Sequence, residues 1–258
     1  MTTDVSQLDD AYGRTTARFY DAAYERSPQV GADSDFYRSL AREGAGPVLE
    51  LGCGTGRVLL RIAEDGFPCT GLDASQHMLE ALRAKSRFPN LRLVRAPMQR
   101  FELGQDRFTL IYSAFRAFQH LYTVEDQLGC LACVRRHLAP GGRLAFDVFA
   151  PKFARSALLE EPEQVDSRFE HDGESVTRYA TVSRDPGAQL LQVRFRYERT
   201  RNGELVGNDE ARFRMRWFWR FELEHLLARA GFGEVVLYGD FDRRLVGADT
   251  PAFIVVAR

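Results

Sequence analysis

The chain has 258 residues, 35 basic and 36 acidic side chains, and a formal net charge of −1, so it lacks the basic excess that marks generic nucleic-acid binders. Its 45% hydrophobic and 28% charged content is ordinary for a soluble protein, and no apolar run approaches the length of a membrane span. The polar, acidic start Met1-Thr2-Thr3-Asp4-Val5-Ser6 is unlike a secretory signal, and the expected location is the cytoplasm. Cys130 and Cys133 form a C-x-x-C in a helical pattern, with neither a second ligand pair for zinc nor the strand-to-helix setting of a redox motif. With Cys53 and Cys69 they are expected to be packing thiols in a reducing compartment. His77, His137, His171 and His225 fall at no metal-ligand spacing, and no metal is predicted.

In chain order, residues 4–43 predict helices, one from Ala11 to Tyr24 and a second, capped by Asp33 or Ser34, running through Arg42. The first carries Tyr12, Phe19, Tyr20 and Tyr24, which either pack on a sheet or face a ligand. Gly46-Pro47 opens a strand over 47–51 that ends in Glu50-Leu51, followed by Gly52, Gly54 and Gly56 at every second position and a helix over 55–65. Glycines there allow positive φ and close approach of a ligand, and a helix start points free N–H groups at it. The G-x-G-x-x-G dinucleotide fingerprint is not met, since position 57 is Arg, and the Gly-Lys-Ser/Thr of a P-loop is absent. A second strand, 68–73, ends in Asp73. In a doubly wound sheet adjacent parallel strands end at one edge, so Asp73 is placed beside the glycine turn, where a carboxylate can accept both hydroxyls of a ribose.

Ser75 is positioned to cap a helix over 75–87 that carries Met78, Leu79 and Leu82 on one face. A third strand, 91–95, leads to Ala96-Pro97-Met98-Gln99. A fourth, 108–113, leads to Phe115, Arg116 and His120, which the crevice rule places at the ligand together with Ser113. Thr123 caps the next helix, Pro140-Gly141-Gly142 breaks it, and 143–149 is the fifth strand. Period-two alternation over 174–184, 189–200 and 205–217, with turns at Asp185-Pro186-Gly187 and Asn202-Gly203, predicts an antiparallel meander. Trp219–Ala230 reads as a helix, and 233–238 and 252–257 as the last strands.

The glycine turn with Asp73 resembles motifs I and II of the class I S-adenosylmethionine-dependent methyltransferases. The Leu138-Ala-Pro-Gly-Gly142 turn and the Glu222-Leu-x-x-Leu-Leu-x-x-Ala-Gly231-Phe232 segment resemble the same family. The resemblance implies an α/β, Rossmann-like, seven-stranded, mostly parallel sheet with an antiparallel last strand. Its parts are a helical N-terminal lid (1–45), a core (46–150), an antiparallel β insertion (151–218) and a C-terminal helix and hairpin (219–258). It implies S-adenosyl-L-methionine as cofactor, held by Glu50, Gly52, Cys53, Gly54, Thr55, Gly56, Asp73, Ala74, Met78, Met98, Ser113 and Phe115. Pro97 stands where many relatives have the acid that accepts the adenine amino group; Met98 offers its backbone N–H and thioether instead, and Gln99 is a substitute acceptor.

Methyl transfer from a sulfonium needs mainly proximity and alignment, with a base only where the nucleophile arrives protonated. His120 is the base candidate or a residue that packs the loop, and Tyr20 is a lid contact or a packing aromatic. The Phe115–Leu121 segment resembles the Phe-Ser-Ser-x-x-His segment of amino-sugar N,N-dimethyltransferases, with Arg116 in place of a small residue. Arg116 is an anchor for a substrate carboxylate or phosphate, or a rim ion pair. In the meander, Arg194, Arg196, Arg212, Arg214 and Arg216 alternate with Val193, Phe195, Tyr197, Phe213, Met215 and Trp217. That face is an anion site, a solvated row paired with Glu198, Glu204 and Glu210, or part of a homodimer interface. The expected activity is methylation of nitrogen or oxygen on a small molecule. The alternatives are a protein methyltransferase, a nucleic-acid methyltransferase, whose Asn/Asp-Pro-Pro-Tyr/Phe motif is missing, and a protein that binds the cofactor without chemistry.

Overall fold

A computed structural model describes residues 12–25, 29–152 and 158–258. Helices α1 (Arg14–Tyr24) and α2 (Gln29–Gly44) precede β1 (Val48–Leu51), α3 (Leu59–Glu64), β2 (Cys69–Asp73), α4 (Gln76–Lys85), β3 (Leu91–Arg95) and β4 (Phe108–Ser113). Then follow α5 (Val124–His137), β5 (Leu138–Phe149), four long strands β6 (Glu160–His171), β7 (Glu174–Asp185), β8 (Leu190–Arg201) and β9 (Glu204–Arg216), α6 (Arg220–Arg229), β10 (Val235–Tyr238) and β11 (Ala252–Ala257).

Seven strands form one sheet in the order β10-β11-β5-β4-β1-β2-β3. Pairing is parallel throughout except around β11, which is antiparallel to both β5 and β10. The fully buried Val48-Leu49-Glu50-Leu51 lies inside the sheet between β4 and β2, as expected of a strand covered on both faces. Strand order reverses between β1 and β4, and the carboxyl ends of β1, β2 and β4 meet there, the crevice where doubly wound sheets bind ligands.

Strands β6–β9 form a separate antiparallel meander. Phe19 of α1 packs among Val176, Phe195, Tyr197 and Ala211 of that meander and stacks on Tyr197 at 5.0 Å. The opposite side of α1 is tied to the core: Asp21 accepts from Thr55 Oγ1 at 2.6 Å and from Lys85 Nζ at 2.6 Å. Helix α1 therefore lies between the two sheets and joins them.

Three local expectations change. Helix α2 starts four residues before Asp33, which is an interior residue used to bind Arg57, so neither Asp33 nor Ser34 is its cap. Helix α3 starts at Leu59, because Gly56 at φ +84° turns its N–H back to the Cys53 carbonyl at 2.9 Å before helical geometry begins. Strand β6 is an addition to the expected three-stranded meander. It is a polar edge strand carrying Pro162, and its register shifts between Glu161 and Gln164, the kind of place where an edge tolerates proline. The caps at Ser75 and Thr123 form as expected, accepting the N–H of Met78 at 3.3 Å and of Asp126 at 3.1 Å. The helix expected over residues 4–11 falls outside the described residues.

Candidate active site

The glycine turn follows from the sequence of backbone bonds. Leu72 at the end of β2 accepts the N–H groups of Gly52 at 2.7 Å and Cys53 at 3.0 Å. Gly52, Gly54 and Gly56 all have positive φ, which bends the chain across the edge of the sheet. A Cβ at Gly52 would lie 2.8 Å from Ala117 Cβ and 3.2 Å from Met98 Cε, so there is no room for a side chain at Gly52, whereas a Cβ at Gly54 would meet nothing within 4 Å.

Asp73 sits beside this turn as predicted. Its Oδ2 accepts Gly54 N–H at 2.7 Å and its Oδ1 accepts Ser75 N–H at 2.8 Å. Gly52, Gly54, Asp73, Ala74, Met78, Met98 and Phe115 all line one cavity, with Tyr12, Tyr20, Gln99 and His120. The chemistry of that wall fits S-adenosylmethionine: a carboxylate for a ribose diol, thioethers and small residues for a flat base, and glycines where a charged ligand approaches backbone.

The other predicted cofactor residues stand behind that wall. Glu50 is 3% exposed and accepts from Tyr112 Oη at 2.8 Å; burial pushes its carboxyl up to about 8. Cys53 is buried, Thr55 binds Asp21, Gly56 packs on Leu60 and Leu82, and Ser113 is buried with its carbonyl facing Tyr37 Oη at 3.3 Å. Arg57, which breaks the dinucleotide fingerprint, forms a bidentate pair with Asp33 and lies 4.9 Å over the Phe115 ring. It is a clamp on the loop after β4.

A second cavity, about 490 Å³, opens between that loop, α1 and the inner face of the meander. Tyr12, Tyr20, Phe115 and His120 belong to both cavities and form their common wall. Arg116 lies in the second only. The apolar residues of the meander, including Val193, Phe195, Phe213, Met215 and Trp217, face it. Two cross-strand ion pairs interrupt them. Arg178, 3% exposed, binds Asp166 at 2.7 Å and lies over the rings of Tyr24 at 4.6 Å and Phe195 at 4.3 Å, while Arg184 pairs with Glu161.

The arginine row resolves into ion pairs. Arg194 and Arg212 bind Glu210, Arg196 binds Glu163 and Glu198, and Arg216 binds Glu222; Arg214 lies 4.8 Å over Tyr122. Glu163 belongs to β6, whose sequence gives no strand signal, so its part in the pairing is hidden from a reading of the chain.

His120 bridges the two cavities' supports. Its Nδ1 is 2.9 Å from the Arg214 carbonyl, which can only accept, so Nδ1 carries the hydrogen. Its Nε2 is then the acceptor for Tyr12 Oη at 2.7 Å. Tyr12 is held at its other end by Ser75 Oγ, which donates to the Tyr12 carbonyl at 2.6 Å. Burial lowers His120 to about 4, so the imidazole is neutral at physiological pH. From the sequence, Tyr12 ranks behind Tyr20 as a ligand contact and Ser75 is a cap alone. No local pattern marks a contact spanning 108 residues.

Comparison with known proteins agrees with this geometry. A methyltransferase-domain family profile matches residues 48–142. The chain is 29% identical over 164 residues to a Streptomyces venezuelae dTDP-3-amino-3,4,6-trideoxy-alpha-D-glucopyranose N,N-dimethyltransferase, covering 63% of this chain and 65% of that relative. It thus spans somewhat less than two thirds of that relative's length; a match to the Streptomyces fradiae dTDP-3-amino-3,6-dideoxy-alpha-D-glucopyranose N,N-dimethyltransferase is 24% identical and covers 85% and 84%. Among solved structures, the CcbJ methyltransferase of Streptomyces caelestis superposes with a TM-score of 0.77 at 27% identity, covering 97% of this chain and 98% of that one. The S-adenosylmethionine-bound amino pentose methyltransferase CalS10 of Micromonospora echinaspora gives 0.71 at 25% identity, covering 92% and 95%. With the glycine turn, Asp73 and the reversed terminal hairpin in place, the matched domain, the relatives and the structural neighbours together support a class I S-adenosylmethionine-dependent methyltransferase.

Proposed function

We propose that the protein methylates an amine nitrogen of a small molecule held in the second cavity. The observation that carries this is the common wall of Tyr12, Tyr20, Phe115 and His120, which puts a cavity of about 490 Å³ directly against the cofactor residues. A cavity of that size suits a small acceptor rather than a protein chain or a base extruded from a duplex. The names of the amino-sugar relatives support nitrogen as the nucleophile.

When bound, S-adenosylmethionine supplies a methyl group activated by its sulfonium. Asp73 binds the ribose, and Gly52, Gly54, Ala74, Met78 and Met98 line the rest of the cofactor cavity. Tyr20 and Phe115 exclude water from the shared wall. Tyr12 donates its proton to His120 Nε2, so the lone pairs on its oxygen are left to accept an N–H of the acceptor and orient the amine. With a value of about 4, His120 is too weak to take a proton directly from an ordinary ammonium, whose value is near that of lysine, about 10. In this reading it fixes Tyr12 and the amine enters neutral. Arg116, whose guanidinium lies 5.9 Å from the Phe115 ring, anchors a carboxylate or phosphate of the acceptor in the same cavity.

The test is transfer of methyl-labelled S-adenosylmethionine to a panel of amino sugars, amino acids and other small amines, with alcohols and carboxylates as controls. Labelled N-methyl product from one amine class supports the proposal. Cofactor binding by calorimetry without transfer to any acceptor would favour a non-catalytic binder.

A further inference from the structure

Phe115 and Arg116 are consecutive non-glycine residues with φ of +54° and +67°. Side chains make that region costly, and two such residues in succession persist only where their surroundings hold them. The holder is Asp147, on β5 and 32 residues away from Phe115 in sequence. Its Oδ1 accepts Phe115 N–H at 2.8 Å and its Oδ2 accepts Arg116 N–H at 3.0 Å, two successive backbone donors closing on one carboxylate. Tyr37 of α2 donates to the same Oδ1 at 2.8 Å.

Asp147 is 4% exposed and lines neither cavity, so it is not placed to touch a ligand. The residues it holds are differently placed. Phe115 is part of the wall common to both cavities, and Arg116 lies in the acceptor cavity. The Phe115 ring is fixed further by Arg57 on one side and by Tyr24, edge-on at 5.0 Å, on another.

We propose that Asp147 is a positioning residue for the methyl-transfer reaction: its ionised carboxylate holds the Phe115–Arg116 step in its strained form and so places the wall between donor and acceptor. The role in transfer rests on the function proposed above; the hold on the loop does not.

The titratable and charged groups around Asp147 give the hold a pH dependence. Burial is the leading effect and pushes its carboxyl up to about 6; Tyr37 of α2 and Arg116 of the loop hold it down, and Asp33 of α2 pushes it up. Below that value the carboxyl is neutral, one oxygen becomes a donor, and one of the two backbone N–H groups loses its acceptor. The loop should loosen as pH falls through about 6.

The experiment has two arms. In the first, the amide resonances of Phe115 and Arg116 are followed in ¹⁵N-labelled protein from about pH 8 to about pH 5. They should shift together with a midpoint near 6, and Tyr37→Phe should move that midpoint upward, because a donor to the ionised form is removed while the ring is kept. In the second, Asp147→Asn is compared with wild type in turnover and in S-adenosylmethionine binding. An amide can accept one of the N–H groups but meets the other with an NH₂, so kcat/KM for the acceptor should fall by about tenfold or more, with cofactor affinity close to wild type. Amides that do not titrate in this range, or an Asp147→Asn enzyme with wild-type acceptor kinetics, would overturn the proposal. Wild-type protein that transfers to no acceptor would speak against the methyl-transfer reading, and the amide titration alone would then decide whether Asp147 holds the loop.

Discussion

On the glycine-turn side of the molecule, the cavity is built on a backbone turn: positive-φ Gly52 and Gly54 on its wall, N–H groups bonded to the Leu72 carbonyl, and a carboxylate one strand away. On the meander side it is shaped by side chains that come from distant strands, with Asp166 against Arg178, Glu161 against Arg184, and aromatic rings from α1, β8 and β9. The first construction is fixed by a local turn and suits the nucleoside end of the cofactor. The second can change its ligand by changing side chains without disturbing a turn, and it is where acceptor choice should reside.

The largest predicted effect tests the backbone side. Gly52→Ala places a Cβ 2.8 Å from Ala117 at a position with φ +69°, which should cost about 3 kcal/mol shared between folding and cofactor binding. Thermal denaturation with and without S-adenosylmethionine measures it, and a wild-type response would mean the turn has slack that the close approach of Ala117 denies it. Next is Asp73→Ala. Loss of a charge-assisted hydrogen bond should weaken cofactor binding by about 1.5–3 kcal/mol in calorimetry. Unchanged affinity would remove Asp73 from the ribose.

A smaller effect tests the seam between the two sides. Tyr12→Phe and His120→Ala should each lower kcat by about tenfold, and the double variant should lose little more, because His120 acts through Tyr12. Independent losses that multiply in the double variant would return His120 to a direct role as base.

A pH-dependent effect concerns Glu50, which supports the cofactor wall from behind. Its carboxyl rises from 4.5 to about 8 on folding, so the native state binds more protons between those values and stability falls as pH rises through that window. Glu50→Gln keeps the Tyr112 hydrogen bond and cannot ionise, so it should remove the decline across that window and leave stability there flat with pH. Denaturant unfolding at several pH values between about 4.5 and about 8 would show it; a decline across that window that persists in the variant would assign it to another group.

The contrast between the two sides also explains what can be read from the sequence. Gly52, Gly54, Gly56 and Asp73 lie within 22 residues, and their φ values and hydrogen bonds follow from local spacing, so the turn and its acid are legible from the amino-acid sequence alone. The strands of the seven-stranded sheet are legible for the same reason, as short apolar runs bounded by turn residues. Strand β6 is not, because an exposed edge strand with a proline carries almost no apolar alternation. Asp147 reads as an ordinary member of a buried strand, and only tertiary placement reveals that two strained N–H groups 31 and 32 residues earlier converge on it. Tyr12, His120 and Arg214 likewise meet across 108 and 94 residues. Pairings at that range leave no periodic trace.

The most direct test of two cavities sharing one wall is a crystal structure with S-adenosylhomocysteine. In that complex the ribose hydroxyls should lie on Asp73 and the base beside Met98, with the sulfur facing the wall of Tyr12, Tyr20, Phe115 and His120, open toward the meander. A ligand bound with its sulfur turned away from that wall, or with Asp73 making no contact to the ribose, would contradict this arrangement.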